Sequence, residues 1–238
     1  MKIATWNMNG WDRRTTHDQA WTFLLDIVRP DIALLQEAEV PGNIPSEYWY
    51  KWTPAVAEKR FGSVILSRLG DLELQWEDNS RGAVLVANSF VTSVGPISIA
   101  CVHARVEEGV GTIRWLRQTM DVVRPLLGDR FVLGGDLNTA RQAHLAWPAF
   151  GHGQFWKDIE TWGFNERLPL DGRELQSYWR NWLQGDRPTL GNTLQDDHVF
   201  LDAETFAFVR GCEVWDIKRV RELSDHGPVV VDLALPNE

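Results

Sequence analysis

Cysteine is scarce: Cys101 and Cys212 are the only two in 238 residues, and they stand far apart in the chain. Cys101 lies inside the apolar run Ile97 to Val102, so a buried free thiol is expected. Free thiols suit a reducing compartment, and the expected location is the cytoplasm. Positive charge is in deficit as well. Lys and Arg number 24 against 33 Asp and Glu, a net charge of -9. No global basic field draws in polyanions, which argues against a non-specific nucleic-acid coat and leaves only a local basic groove. Long hydrophobic runs are missing. No stretch approaches 18 apolar residues, and Met1 to Asn7 has no apolar signal segment, so no membrane span is expected. Three motifs are absent too. Without G-x-x-x-x-G-K-[ST] there is no nucleotide phosphate loop. Without G-x-S-x-G there is no serine elbow. Without Cys and His at zinc spacing there is no structural zinc site.

What is present is a series of short apolar runs, each delivering a polar group at its end. Phe131-Val132-Leu133 reads as a buried strand, and Gly134-Gly135 then predicts a sharp turn into Asp136-Leu137-Asn138. In extended chain Asp136 and Asn138 leave on one face. A carboxylate that orients water beside an amide that donates to a phosphoryl oxygen suits phosphate-ester hydrolysis. By itself Gly-Gly-Asp is equally an ordinary turn. Four other stretches end the same way.

Lys2 to Trp6 predicts a strand closed by Asn7-Met8-Asn9-Gly10. Ala20, Phe23, Leu24, Ile27 and Val28 have helical spacing over Asp18 to Val28. Asp31 to Leu35 predicts a strand leading to Gln36 and Glu37, followed by a Pro- and aromatic-rich connection from Pro41 to Pro54. Further strands are expected over Ser63 to Ser67, Ala83 to Asn88 and Ile97 to Val102, the last delivering His103. A helix is expected from Gly111 to Leu127. A loop- and tryptophan-rich region runs from Trp147 to Thr193. Val199 to Leu201 follows Asp196-Asp197-His198, and Ser224-Asp225-His226 opens a strand from Val229 to Leu235. With no repeat, low-complexity run or linker, residues 1–238 read as a single domain. Five polar groups, then, sit beside apolar strands: Asn7 with Asn9, Glu37, His103, Asp136 with Asn138, and Asp197 with Asp225 and His226. A hard cation needs only one or two such carboxylates and keeps several waters.

Thr5-Trp6-Asn7-Met8-Asn9-Gly10, Leu35-Gln36-Glu37, Val102-His103-Ala104, Gly135-Asp136-Leu137-Asn138, Asp197-His198-Val199-Phe200 and Ser224-Asp225-His226-Gly227-Pro228 resemble, in order, the motifs of the endonuclease/exonuclease/phosphatase superfamily. The resemblance implies an α+β fold: a four-layered α/β/β/α sandwich of two mixed β-sheets flanked by helices, DNase-I-like. It implies a divalent-metal phosphoesterase using Mg²⁺ or Mn²⁺, with its site at one end of the sandwich. By the same resemblance Glu37 is the principal metal ligand, Asn7 places metal or phosphate, and Asp225 is a direct or neighbouring metal group. Asp136 aligns the attacking water, Asn138 holds a phosphoryl oxygen, and His103 steadies developing charge. His226 faces the phosphate with its other nitrogen fixed by Asp197. Asn9 stands near the substrate where many relatives carry an acid. Gln195-Asp196-Asp197 replaces the frequent Arg-Ile-Asp, so an arginine is missing.

His103 resembles the pancreatic DNase, deadenylase, sphingomyelinase and tyrosyl-DNA phosphodiesterase branches, whereas Trp6 to Gly10 resembles the abasic-site nucleases. The expected activity is a nuclease acting on DNA or RNA. The alternatives are a phosphomonoesterase or phospholipase-like hydrolase of small or lipid phosphates, or a silent binding module. His198, one residue from Asp197, is expected on the opposite face as a structural group, and His17, His144 and His152 show no partner pattern. Thirteen tryptophans are the other peculiarity. Trp147, Trp156, Trp162, Trp179 and Trp182 crowd one segment. Core packing accounts for such residues, while Trp179 or Trp182 beside Arg180 also suits a stacking platform for a base, and exposed tryptophan suits a lipid interface. Arg114, Arg117, Arg124 and Arg130 read as a solvated face.

Overall fold

The computed structural model describes residues 1–10, 12, 15–54, 60–78, 83–91, 95–107, 110–141, 143, 148–167, 177, 195–215 and 218–234. In chain order these form β1 (Lys2–Asn7), α1 (His17–Thr22), β2 (Ile32–Ala38), β3 (Trp49–Pro54), β4 (Gly62–Ser67), β5 (Leu72–Asp78), β6 (Ala83–Val91), β7 (Gly95–His103), α2 (Gly111–Val123), β8 (Phe131–Asp136), α3 (His152–Thr161), β9 (Asp197–Leu201), α4 (Ala203–Phe206), β10 (Val209–Val214), α5 (Lys218–Leu223) and β11 (Val229–Leu233). One sheet has the order β10-β11-β1-β2-β4-β3, the other β5-β6-β7-β8-β9. Both are mixed, since β1 runs parallel to β2 and β7 parallel to β8 while their other neighbours are antiparallel.

Strand alternation sorts the side chains into layers. Ile3, Ile32, Leu34, Ile65, Leu85, Ile99, Cys101, Val132, Val199 and Val231 pack together between the sheets. Ala4, Trp6, Leu35, Val64 and Val230 point the other way and bury Ala20, Trp21 and Phe23 from the α1 side with Val220 and Leu223 of α5. Val84, Val86, Ala100, Val102 and Leu133 do the same for Leu116 and Met120 of α2 and Phe155 and Ile159 of α3. The result is the expected sandwich, helix on sheet on sheet on helix. Among the described residues no helix is long and apolar enough to cross a membrane.

Four details differ from the sequence reading. Gly134 and Gly135 do not turn the chain; both lie inside β8. Their role is close approach. A Cβ at Gly135 would stand 1.9 Å from the Val102 carbonyl oxygen, and one at Gly134 would stand 2.3 Å from that of His198. The predicted connection up to Pro54 contains β3, and β5 and β10 are further strands. All three are sheet edges with mixed or exposed faces, and so lack the alternation that marks a half-buried strand. The tryptophan-rich region contains α3, on which Trp156 is buried against Phe155. The helix from Gly111 stops at Val123, where Pro125 lacks an amide hydrogen and Arg124–Leu126 tightens into a 3₁₀ turn.

Candidate active site

The inward rows of the strands are apolar until they reach one end of the sandwich, where they turn polar. Along β1 the row is Ile3, Thr5, Asn7; along β7 it is Ile97, Ile99, Cys101, His103; along β8 it is Val132, Gly134, Asp136. β9 runs the other way and opens with Asp197 before Val199 and Leu201. Strand direction and period 2 therefore bring Asn7, His103, Asp136 and Asp197 to one end of the interior. Between them and the hydrocarbon core lies a buried polar step, in which the Gln36 amide donates to the Leu34 carbonyl, the Thr5 hydroxyl and the Cys101 sulfur. Burial pushes the Cys101 thiol up to about 12, so it remains neutral.

Glu37 does not follow from alternation. Ile32, Leu34 and Gln36 face inward, so Glu37 would face out. Between Leu35 and Ala38 the pairing with β4 slips by one residue, a β-bulge, and Glu37 adopts φ 50°. Its carboxylate thereby turns inward. Asn9 (φ 47°) and Asn138 (φ 48°) also sit in the left-handed region. Asparagine tolerates it, whereas for Glu37 it is strain of roughly 1 kcal/mol or more that the surroundings must hold.

The Asn7 amide is the hub. Its Nδ2 donates to Asp136 Oδ2 at 2.9 Å and reaches Glu37 Oε1 at 3.5 Å, while its Oδ1 accepts the Asn9 backbone N–H at 3.0 Å. Asn9 in turn donates from Nδ2 to Asp225 Oδ1 at 2.7 Å, so Asp225 stands two amides away from the carboxylate pair. His103 Nε2 lies 3.7 Å from Glu37 Oε1 and 4.0 Å from Asp136 Oδ2. His226 Nε2 lies 3.9 Å from the same Asp136 oxygen, and its Nδ1 lies 2.8 Å from Asp197 Oδ2. The His226 backbone is fixed by its N–H to Ser224 Oγ, by Ser224 Oγ donating to the Asn7 carbonyl, and by the Trp6 indole donating to the His226 carbonyl. The Asn138 backbone N–H donates to Asp136 Oδ1 and its Nδ2 to the Ala104 carbonyl, which commits one of its two amide hydrogens.

Burial alone would lower the His226 imidazole, but the charge and hydrogen bond of Asp197, with Asp136 and Asp225, hold it well above its ordinary value. Burial also raises Glu37, with His103 pulling against it and Asp136 adding to it. A further carboxyl, to which the sequence assigned no role, joins the group. Asp196 is buried, and burial and then the charge of Asp136 push it up to about 7. The adjacent acids Asp196-Asp197 at a strand start were its only signal.

Glu37, Asn7, Asn9, His103, Asp136, Asn138, Asp197, Asp225 and His226 are thus brought together. Trp179 and Arg180 lie outside the described residues, as do Trp147, Trp182 and His144. Trp156 and Trp162 pack in the helix layer, the latter under the Arg124 guanidinium. Arg117 pairs with Asp158 and Arg130 with Glu204. His198 faces away from the site, between Glu166 Oε1 at 2.7 Å and the Thr139 carbonyl at 2.9 Å, and stacks on Phe200.

Two groups of donors come into question for a metal ion. Asp136, Asp197 and His226 offer atoms within 4.8 Å of one another, yet Asp197 Oδ2 is engaged by the imidazole and His226 holds its proton tightly. Glu37 and Asp136 instead turn carboxylate oxygens toward one amide nitrogen. Oxygen donors of this kind fit a hard divalent cation that retains water.

A family model described as the Endonuclease/Exonuclease/phosphatase family matches residues 4–226. No curated protein is significantly similar in sequence. Among solved structures, the 3'-5' exonuclease NExo from Neisseria meningitidis superposes with a TM-score of 0.72 at 20% identity, over 99% of this chain and 100% of that one. The structure described as the 3' phosphatase NExo from Neisseria bound to a product DNA hairpin has a TM-score of 0.70 at 20% identity, with the same coverage. An AP endonuclease from Archaeoglobus fulgidus has a TM-score of 0.70 at 19% identity, again over 99% and 100%. These likenesses establish the shared fold.

Proposed function

This chain belongs to the endonuclease/exonuclease/phosphatase family, and on that premise we propose that it is a nuclease, a phosphodiesterase that hydrolyses DNA or RNA with Mg²⁺ or Mn²⁺. Membership makes it a divalent-metal-dependent phosphoester hydrolase; the nucleic-acid substrate, the choice of metal and the residue roles are our reading. One observation carries them: a single amide, Asn7, bridges Glu37 and Asp136, with His103 and His226 each within 4.0 Å of Asp136.

Glu37 would hold the cation, with Asn7 placing its carboxylate through Nδ2 and Asp225 steadying Asn7 through Asn9. The bound cation would supply charge neutralisation at the phosphoryl oxygen. Asp136, fixed through both oxygens by Asn7 and the Asn138 N–H, orients the attacking water and accepts its hydrogen bond. His226, kept protonated by Asp197, points Nε2 at the same space and donates to a phosphoryl oxygen. His103 and the second amide hydrogen of Asn138 add donors where charge develops. Trp179 and Arg180 remain candidates for stacking on a base.

Glu37→Gln and Asp136→Asn should each lower turnover by two or more orders of magnitude with folding intact. If either variant keeps wild-type metal-dependent activity, these roles are wrong. The net charge of -9 favours a second reading, a phosphatase or phospholipase-like enzyme of small or lipid phosphates. Parallel assays on plasmid, single-stranded oligonucleotide, a phosphomonoester and a lipid phosphodiester separate them. Cleavage confined to the last two would overturn the nuclease. The free thiols of Cys101 and Cys212 suit the cytoplasm, our reading of its location.

A further inference from the structure

We propose that His17 is a positioning residue for the metal ligand Glu37, an inference that rests on the metal role just given to Glu37. The strained bulge at Glu37 must be pinned from both sides. Upstream, the Met8 N–H donates to the Gln36 carbonyl at 2.9 Å and the Gly10 N–H to the Glu37 carbonyl at 3.0 Å. Downstream, the chain leaves the ladder after Ala38, and its next peptide groups are taken by side chains of α1. The Glu39 N–H donates to His17 Nε2 at 3.0 Å, and the Trp21 indole donates to the Glu39 carbonyl at 2.9 Å. That carbonyl also lies 3.0 Å from His17 Nε2, and the Trp21 indole N–H is shared with Nε2 at 3.2 Å. Nε2 is the acceptor found for the Glu39 N–H among the described residues, which places the ring proton on Nδ1.

Two further observations single the residue out. Among the described residues, buried His17 Nδ1 has no hydrogen-bond partner. A buried ring nitrogen left unsatisfied is a cost that a phenyl ring would avoid, and the bond at Nε2 offsets it. The packing is also continuous with the ligand. His17 meets the Phe61 ring edge-on at 6.1 Å, and Phe61 lies so close to Gly10 that a Cβ there would stand 2.5 Å from it and 2.3 Å from the Glu37 carbonyl oxygen. His17, Phe61, Gly10 and the Glu37 backbone are one contiguous wall. His17 thus decides whether the carboxylate of Glu37 stays turned inward.

The test is direct binding of Mn²⁺, measured by electron paramagnetic resonance on the full chain. His17→Phe keeps the ring and loses the acceptor, whereas His17→Gln restores an oxygen near the position of Nε2. His17→Phe should weaken Mn²⁺ about tenfold, His17→Gln should recover most of it, and kcat at saturating metal should stay near wild type in both. Trp21→Phe, which removes the other tie to Glu39, should also weaken binding and carries the test if His17→Phe does not fold. Wild-type affinity in folded His17→Phe, or equal loss in His17→Gln, overturns the inference while Glu37→Gln binds poorly. Undiminished binding by Glu37→Gln overturns the metal role of Glu37 and the inference with it.

Discussion

Asp197 Oδ2 and His226 Nδ1 face each other at 2.8 Å, both buried, one from the start of β9 and the other from the turn before β11. A carboxylate in that position fixes the ring orientation and favours the imidazolium, much as a carboxylate orients a metal-bound histidine. With Nδ1 so held, Nε2 lies 3.9 Å from Asp136 Oδ2.

The activity should therefore fall at alkaline pH, as His226 loses a proton it holds well above the ordinary value. Replacing Asp197 by Asn removes the charge that outweighs burial, so the alkaline limb of kcat/KM should move toward neutrality by about one unit or more. The same sign governs stability. The contribution of the pair is fully present below the ordinary histidine value and is lost as pH rises through the raised one. A pH-rate profile checks this, and an unmoved alkaline limb in Asp197→Asn would refute the assignment.

Cation binding should stabilise the fold, because Glu37 and Asp136 bring two carboxylates onto one amide. At a hundred times its Kd, Mn²⁺ should add about 2.7 kcal/mol, visible as a rise in Tm that a chelator reverses. Glu37→Gln should abolish most of that rise. An equal rise in the variant places the ion elsewhere.

Asp196 makes a separate prediction. Its folded value of about 7 lies above the ordinary carboxylate range, raised by burial and then by Asp136. Between about pH 4 and pH 7 the folded chain keeps a proton that the unfolded chain has shed. Stability should accordingly fall as pH rises across that window, by up to roughly 1.4 kcal/mol per unit. Urea melts in chelator at several pH values would reveal the slope, and Asp196→Asn should flatten it. A variant with the wild-type slope would rule Asp196 out as its source.

Gly135→Ala should be severely destabilising, by several kcal/mol or to the point of non-folding. The backbone there has φ 138°, and the new methyl would overlap the Val102 carbonyl. Gly163→Ala, with φ 76° but open space around it, should cost only about 1 kcal/mol. Chemical denaturation of the two variants tests the contrast, and similar losses in both would show that backbone conformation alone matters.

The amino-acid order, through motifs that resemble the family's in sequence, pointed to the layered architecture and named most of the polar groups that meet at one end of it. Buried strands such as those ending at Asn7, His103 and Asp136 announce themselves through dense apolar residues, and alternation then dictates which end group joins the interior. Tertiary structure decided the rest. Edge strands β3, β5 and β10 owe their existence to a neighbour on one side, so their residues carry little periodic signal. The inward turn of Glu37 comes from a one-residue slip against β4, which strict alternation contradicts. The raised Asp196 and the grip of His17 on Glu39 arise where distant segments meet, because burial, charge and hydrogen-bond direction are properties of proximity in space.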